Sequence, residues 1–228
     1  MKKYIIATIH DWNISNYEKY FAADERFTLI TSKKELSLEF LQEIEPRYIF
    51  FPHWSWIVPK EIIEKFECVC FHMTDVPFGR GGSPLQNLII RGIQETKLTA
   101  LRMVEQLDAG DIYCKKSVSL DGRAEEIYKR VSSLSFELIQ EIVNREISPL
   151  PQSGEVVEFS RRTPEESDIL KSNIRPEMLY DFIRMLDAPG YPHAFVNING
   201  KNIYFHEIEK DENGCLKGTF YIKESDDE

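Results

Sequence analysis

The feature that most constrains this chain is a set of short, almost wholly apolar segments spaced along its first third. Residues 4–9, Phe27–Ile30, Tyr48–Phe51 and Cys68–His72 are near-continuous runs of aliphatic and aromatic side chains. Strands covered on both faces read this way, whereas a half-solvated strand alternates. Between them lie segments with helical character, around 17–21, 34–44 and 59–66, the last with Pro59 suited to a first helical turn. Residues 97–103 and 112–118 predict two more strands. Strands alternating with short helices specify an α/β fold built on a Rossmann-like, mostly parallel sheet.

The rhythm is interrupted once and ends once. Between Thr74 and Pro84, Pro77, Gly79, Gly81, Gly82 and Pro84 predict a shaped loop, with a helix from Pro84 to Arg91 after it. Ala124, Ile127, Val131, Leu134, Leu138 and Ile142 then recur at steps of three and four, an amphipathic helix. Pro149, Pro151 and Ser153-Gly154 mark the strongest boundary. It divides a Rossmann-like catalytic domain, 1–150, from a small C-terminal α+β appendage, 151–228. The appendage should hold a helix opening at Pro176 and a hairpin turning on Asn199-Gly200, with the acidic 224–228 as a frayed tail.

Composition narrows the function. Charges of 28 Lys+Arg against 38 Asp+Glu give a net −10, a poor start for nucleic-acid binding, which draws its affinity from phosphate neutralisation. No stretch approaches the ~20 apolar residues of a membrane helix. The opening apolar run breaks at His10-Asp11, too short for a signal peptide. Four cysteines form no secreted framework, so a reducing cytoplasm is expected.

Two residues carry the candidate chemistry. His72 closes a central strand, where open α/β sheets present ligands, and Asp108 lies in a later loop able to return to that edge. A carboxylate beside an imidazole makes an acid–base pair, although spacing alone does not separate this from a structural pair. Cys68, Cys70 and His72 share one strand face, with Cys114 as a conceivable fourth zinc ligand. Zinc sites favour knuckle-like spacings, and alternating cysteines in a buried strand are commonly small core residues, so no metal is expected.

The pattern His72-x₄-Pro77-x₂-Arg80-Gly81-x₂-Pro84, then Thr99-x₃-Met103-x₄-Asp108-Ala109-Gly110, resembles the N10-formyltetrahydrofolate-dependent formyltransferase family. The resemblance returns at residues 159–165 and again over 183–187 and 192–195. It implies direct transfer of a formyl group from N10-formyltetrahydrofolate to an amine, with His72 and Asp108 as the family's His and Asp. The family's Asn position is Cys70 here, and a thiol is a poor hydrogen-bond donor. Asn87 is a substitute if its helix turns inward. The folate would lie on Trp56, Ile57 and Val58 and on the loop containing Met103, Glu105 and Leu107. The acceptor would meet Phe78, Gly79, Arg80, Gly81, Gly82 and Ser83, with Trp12 and Asn13 capping the cleft. Arg161 and Arg162 would orient the appendage or contact phosphates. For Trp54 and Trp56 the alternative reading is core packing.

Length, charge and the loop before Pro84 point within this family to the sugar N-formyltransferase branch, closest to enzymes of pseudaminic-acid-type sugar pathways. The expected acceptor is a nucleotide-linked 4-amino-4,6-dideoxy sugar, UDP-linked first, with no nucleic-acid or membrane partner. The alternatives are a weakly active nucleotide-sugar-binding protein, or a glycinamide ribonucleotide or methionyl-tRNA formyltransferase. Phe195, Tyr204 and Phe205 permit a homodimer and equally permit packing within the chain.

Overall fold

The computed structural model describes residues 1–224, which divide into two compact units. The first comprises 1–81, 96–118 and 129–158; the second comprises 82–95, 119–128 and 159–224 of the described chain.

In the first unit, β1 (Tyr4–Ala7), β2 (Phe27–Ile30), β3 (Tyr48–Phe51), β4 (Cys68–His72), β6 (Glu95–Arg102) and β7 (Ile112–Ser119) form one sheet in the order β2-β1-β3-β4-β6-β7. The first four strands are parallel, and β6 runs antiparallel to β4. The chain leaves β1 in one direction to make β2 and returns on the other side to make β3. This reversal is the switch point beside which such sheets bind ligands. One face packs Ile5, Ala7, Ile49, Phe51 and Cys68 against Leu41 of α2 (Leu38–Ile44) and Ile62 of α3 (Lys60–Lys65). Ile6, Phe50 and Val69, at the opposite parity, are fully buried on the other face. Truncating Leu41 to Ala would cost about 2–5 kcal/mol.

Local chemistry sets the element ends. Ser37 accepts the Phe40 N–H at 3.2 Å to open α2, whose C-cap Glu45 is left-handed. The first expected strand is shorter than its apolar run, ending at Ala7, and the helix expected around 17–21 begins earlier, as α1 (Asp11–Tyr20). The glycine-rich loop contains β5 (Phe78–Gly81), paired with β8 (Val157–Phe159) in a two-stranded sheet. The long amphipathic helix is α5 (Ala124–Arg145).

In the second unit, α4 (Pro84–Ile89) and α6 (Leu179–Arg184) accompany a sheet of β9 (Ala194–Ile198), β10 (Lys201–Lys210) and β11 (Leu216–Glu224) in the order β11-β10-β9. Asn199 and Gly200, with φ of 50° and 80°, make the expected turn between β9 and β10. The third strand was not expected; Glu224, assigned to the tail, belongs to it, and 225–228 lie outside the described residues. Among the described residues no helix is long and apolar enough to cross a membrane.

Candidate active site

β4 ends on His72, which is 8% exposed. Its Nε2 lies 2.7 Å from the carbonyl oxygen of Gly79. A carbonyl only accepts, so Nε2 carries the proton and donates. Thr74 donates its hydroxyl to the same oxygen at 3.2 Å. Thr99, paired with His72 across the antiparallel strands, donates to the Thr74 carbonyl at 2.7 Å. This buried chain of bonds fixes the ring and turns Nδ1 toward Asp108 Oδ2, 3.5 Å away.

Asp108 reaches that point on the loop between β6 and β7. Met103 N–H donates to the Cys68 carbonyl and Arg102 N–H to the Asp111 carbonyl, both at 2.8 Å, clamping the base of the loop. A Cβ at Gly110 would lie 1.9 Å from the Arg102 carbonyl oxygen, so the loop closes only on glycine. Asp108 Oδ2 accepts the Gly81 N–H at 2.9 Å, and Gly81 has a φ of 101°, open to glycine and strained for other residues. With Nε2 holding its proton on Gly79, the unprotonated Nδ1 presents a lone pair to a carboxylate. One proton placed between them turns that repulsion into a charge-assisted bond. The pair can therefore take a proton from a third group and pass it on.

Gln152 completes the arrangement and carries no motif by which the sequence could have signalled it. Its side-chain NH₂ donates to the Asp108 and Gly110 carbonyls, both at 2.8 Å. Its Oε1 accepts from Arg80 Nε at 3.1 Å and Nη2 at 2.8 Å. Arg80 therefore uses part of its fork to support the Asp108 loop.

Cys70 is a different group from the one its place in the resemblance suggests. Its thiol donates to the Leu101 carbonyl at 3.8 Å, and burial, aided by the nearby Asp108 charge, pushes it far above its ordinary range. Neither a thiolate nor a strong donor is available there. Cys68 is pushed up to about 12 by burial in the core cluster. Among the described residues no group of three or more metal-ligating side chains gathers.

The loops assigned to the folate lie in this same unit. Trp56 is 39% exposed, Ile57 92% and Leu107 66%, while Val58 is buried in the core and could offer a ligand only its backbone. Lys60, the first residue of α3, pairs with Glu105 of the second loop at 3.1 Å, and Met103 packs on the core cluster. Trp54 packs on Phe51 at 5.9 Å and on Trp56 at 4.9 Å between ring centroids. Its indole Nε1 is buried and has no hydrogen-bond partner among the described residues.

Trp12 and Asn13 take different roles from each other. Asn13 is 1% exposed, and its amide donates to Thr8 Oγ1 at 2.8 Å and to the Pro52 carbonyl at 3.0 Å. It ties the end of β1 to that of β3 and cannot cap a cleft. Trp12 stacks on His10 at 4.6 Å, and His10 lies 4.2 Å from His53. Burial, with the His10 ring adding to it, holds His53 down to about 3.

Gly82 and Ser83 fall in the second unit with Arg161 and Arg162. Ser83 Oγ accepts the Arg162 N–H at 3.0 Å, and a Cβ on Gly82 would meet Arg161 Cα at 2.5 Å. Arg162 donates to the Glu166 carbonyl at 2.6 Å; Arg161 is exposed. Asn87 spends its side-chain NH₂ on the Gly82, Ser83 and Ser160 carbonyls and does not replace the missing amide.

Comparison with known proteins places these residues in context. Residues 17–143, more than half of the chain, match the family described as formyl transferase, and 164–223 match the methionyl-tRNA formyltransferase C-terminal domain. A methionyl-tRNA formyltransferase of Bacillus subtilis is 29% identical over 73% of this chain and 54% of its own length. One from Rickettsia felis is 33% identical over 80% of this chain and 62% of its own. The chain thus spans between half and two thirds of the length of these curated relatives. A solved structure of a methionyl-tRNA formyltransferase from Clostridium thermocellum is 46% identical, covers 98% of this chain and 100% of that one, and superposes with a TM-score of 0.93.

These similarities overturn the expected nucleotide-sugar acceptor, the sugar branch and its pseudaminic-acid-type pathway, and the expected absence of a nucleic-acid partner. The physical reason is plain. A net charge is a sum over the whole surface and sets no limit on a local contact. Length is no obstacle either, since 164–223 match the methionyl-tRNA formyltransferase C-terminal domain.

Proposed function

The chain belongs to the formyl transferase family, and from that premise we propose that it moves the formyl group of N10-formyltetrahydrofolate onto the amino group of a methionyl-tRNA. The observation that carries this reading is the buried His72–Asp108 pair, 3.5 Å apart and within the matched span. The similarity to methionyl-tRNA enzymes supplies the acceptor.

The residues present fit the donor. Two loops in one unit expose Trp56, Ile57 and Leu107, apolar surface suited to a planar heteroaromatic ring, beside the buried indole N–H of Trp54. The folate supplies an electrophilic formyl carbon and a nitrogen leaving group. His72 Nδ1 takes the proton released by the attacking amine, while Nε2 stays on Gly79 and keeps the ring in place. Asp108, held by Gly81 N–H, stabilises the imidazolium and shares the proton until it returns to the departing nitrogen. No bond to the protein is formed.

The test is direct. The protein is incubated with N10-formyltetrahydrofolate and methionyl-tRNA, the ester is cleaved, and the methionine is weighed. A mass gain of one carbonyl with the wild type, and none with His72→Asn, is the expected result. Unmodified methionine from folded wild type that binds the folate would refute the proposed acceptor.

A further inference from the structure

We propose that the indole N–H of Trp54 is the hydrogen-bond donor to the formyl oxygen during transfer, an inference that rests on the formyl-transfer reading above. Three donors beside the His72–Asp108 pair are already committed. His72 Nε2–H is on Gly79, Gly81 N–H is on Asp108, and the Cys70 thiol is on Leu101. His72 Nδ1 carries the proton traffic with Asp108. The carbonyl oxygen that gains charge when the amine adds must find its donor elsewhere, since an uncompensated oxyanion in a buried site is costly.

Trp54 packs on the same cluster as Cys70. Phe51 pairs with Cys70 across β3 and β4, and the Trp54 ring packs on Phe51. Trp54 and Cys70 lie against the same buried cluster, on the sheet face that strand alternation assigns to Cys68, Cys70 and His72. Buried indole N–H groups usually have a partner. The Trp54 Nε1 has none among the described residues, which a ligand acceptor would explain.

The step balances without any further reagent. The amine nitrogen bonds to the formyl carbon as the carbonyl π pair moves onto oxygen, which the Trp54 N–H then holds. The pair returns, the carbon's bond to the donor nitrogen breaks with its electrons left on that nitrogen, and the amine's proton arrives there through His72 and Asp108.

The first test needs no acceptor and no turnover. The full chain, with nitrogen-15 in its three tryptophan indoles, is titrated with 10-formyl-5,8-dideazafolate and, separately, with 5,8-dideazafolate lacking the formyl group. Trp→Phe variants assign the three indole signals. The Trp54 N–H proton should move downfield with the formyl compound and much less without it. Equal shifts with both compounds, or an unmoved Trp54 signal while Trp56 responds, would overturn the inference and leave the formyl-transfer reading standing. No response from any indole, with no binding by calorimetry, would remove both.

The second test is kinetic. Trp54→Phe keeps the ring and loses the N–H, so kcat should fall about 10²-fold while the KM for the folate changes little. Cys70→Asn in the Trp54→Phe background should restore at least about ten-fold of that loss by returning a donor to the same face. A raised KM with kcat intact would assign Trp54 to binding alone and defeat the proposal.

Discussion

Gln152→Ala tests how the reactive carboxylate is held. The side chain makes four hydrogen bonds: two to the carbonyls of Asp108 and Gly110, and two from the Arg80 guanidinium. Neutral bonds are worth about 1 kcal/mol each and charged ones about 1.5–3 kcal/mol. The simple sum overstates the loss, because Gln152 and Arg80 are only partly buried and water can replace some bonds. The expected destabilisation is about 2 kcal/mol, read as a lower urea midpoint with an unchanged slope. The kinetic effect should be larger relative to its cause. A misplacement of about 1 Å at a reacting group costs about 10²-fold, so kcat should fall by roughly 10- to 100-fold with little change in the folate KM. Arg80→Met removes only two of the four bonds and should give a smaller fall in both. A Gln152→Ala protein that loses stability but keeps wild-type kcat would show that Asp108 is positioned without Gln152 and would refute the reasoning.

Asp108→Asn can keep an acceptor on the Gly81 N–H but loses the charge facing His72. Steady-state formylation should show kcat lower by about 10²–10⁴-fold, with a thermal midpoint close to wild type. His53 gives a pH signature. The folded chain keeps its ring neutral down to about 3, while the unfolded chain takes up a proton below its ordinary 6.5. Stability should therefore be full above pH 6.5 and decline as pH falls from 6.5 toward 3, by at most about 1.4 kcal/mol per pH unit from this group. Urea midpoints across that window should fall less steeply in His53→Asn, an exchange that suits the left-handed backbone there; parallel curves would remove His53 as the source.

Much of the sheet was legible because its strands are continuous apolar runs, a pattern that both buried faces require. β5 escaped notice because its sequence, Phe-Gly-Arg-Gly, looks like a loop, and β8 is only three residues long. β11 has mostly exposed side chains on both faces and so lacks the alternation that marks a half-buried strand. The start of α1 is hard to read because its first turn carries mixed polar and aromatic residues; of these Asn13 faces inward to join two strand ends. His72 and Asp108 were reached through ordered motifs, and the structure brings them together at 3.5 Å. Gln152 could not be reached that way, because a lone glutamine after Pro151 shows no sign of the carbonyls it will bind. The acceptor is not legible in global charge and length, neither of which describes a site.

The central claim is that His72 and Asp108 act as one proton-transfer unit in formyl transfer to methionyl-tRNA. Single-turnover rates of His72→Asn, Asp108→Asn and the double variant measure that claim most directly. Groups that act together are lost together, so the double variant should be no more than about two- to three-fold slower than the slower single variant. Losses that multiply would mean the two residues contribute independently, and the account would be wrong.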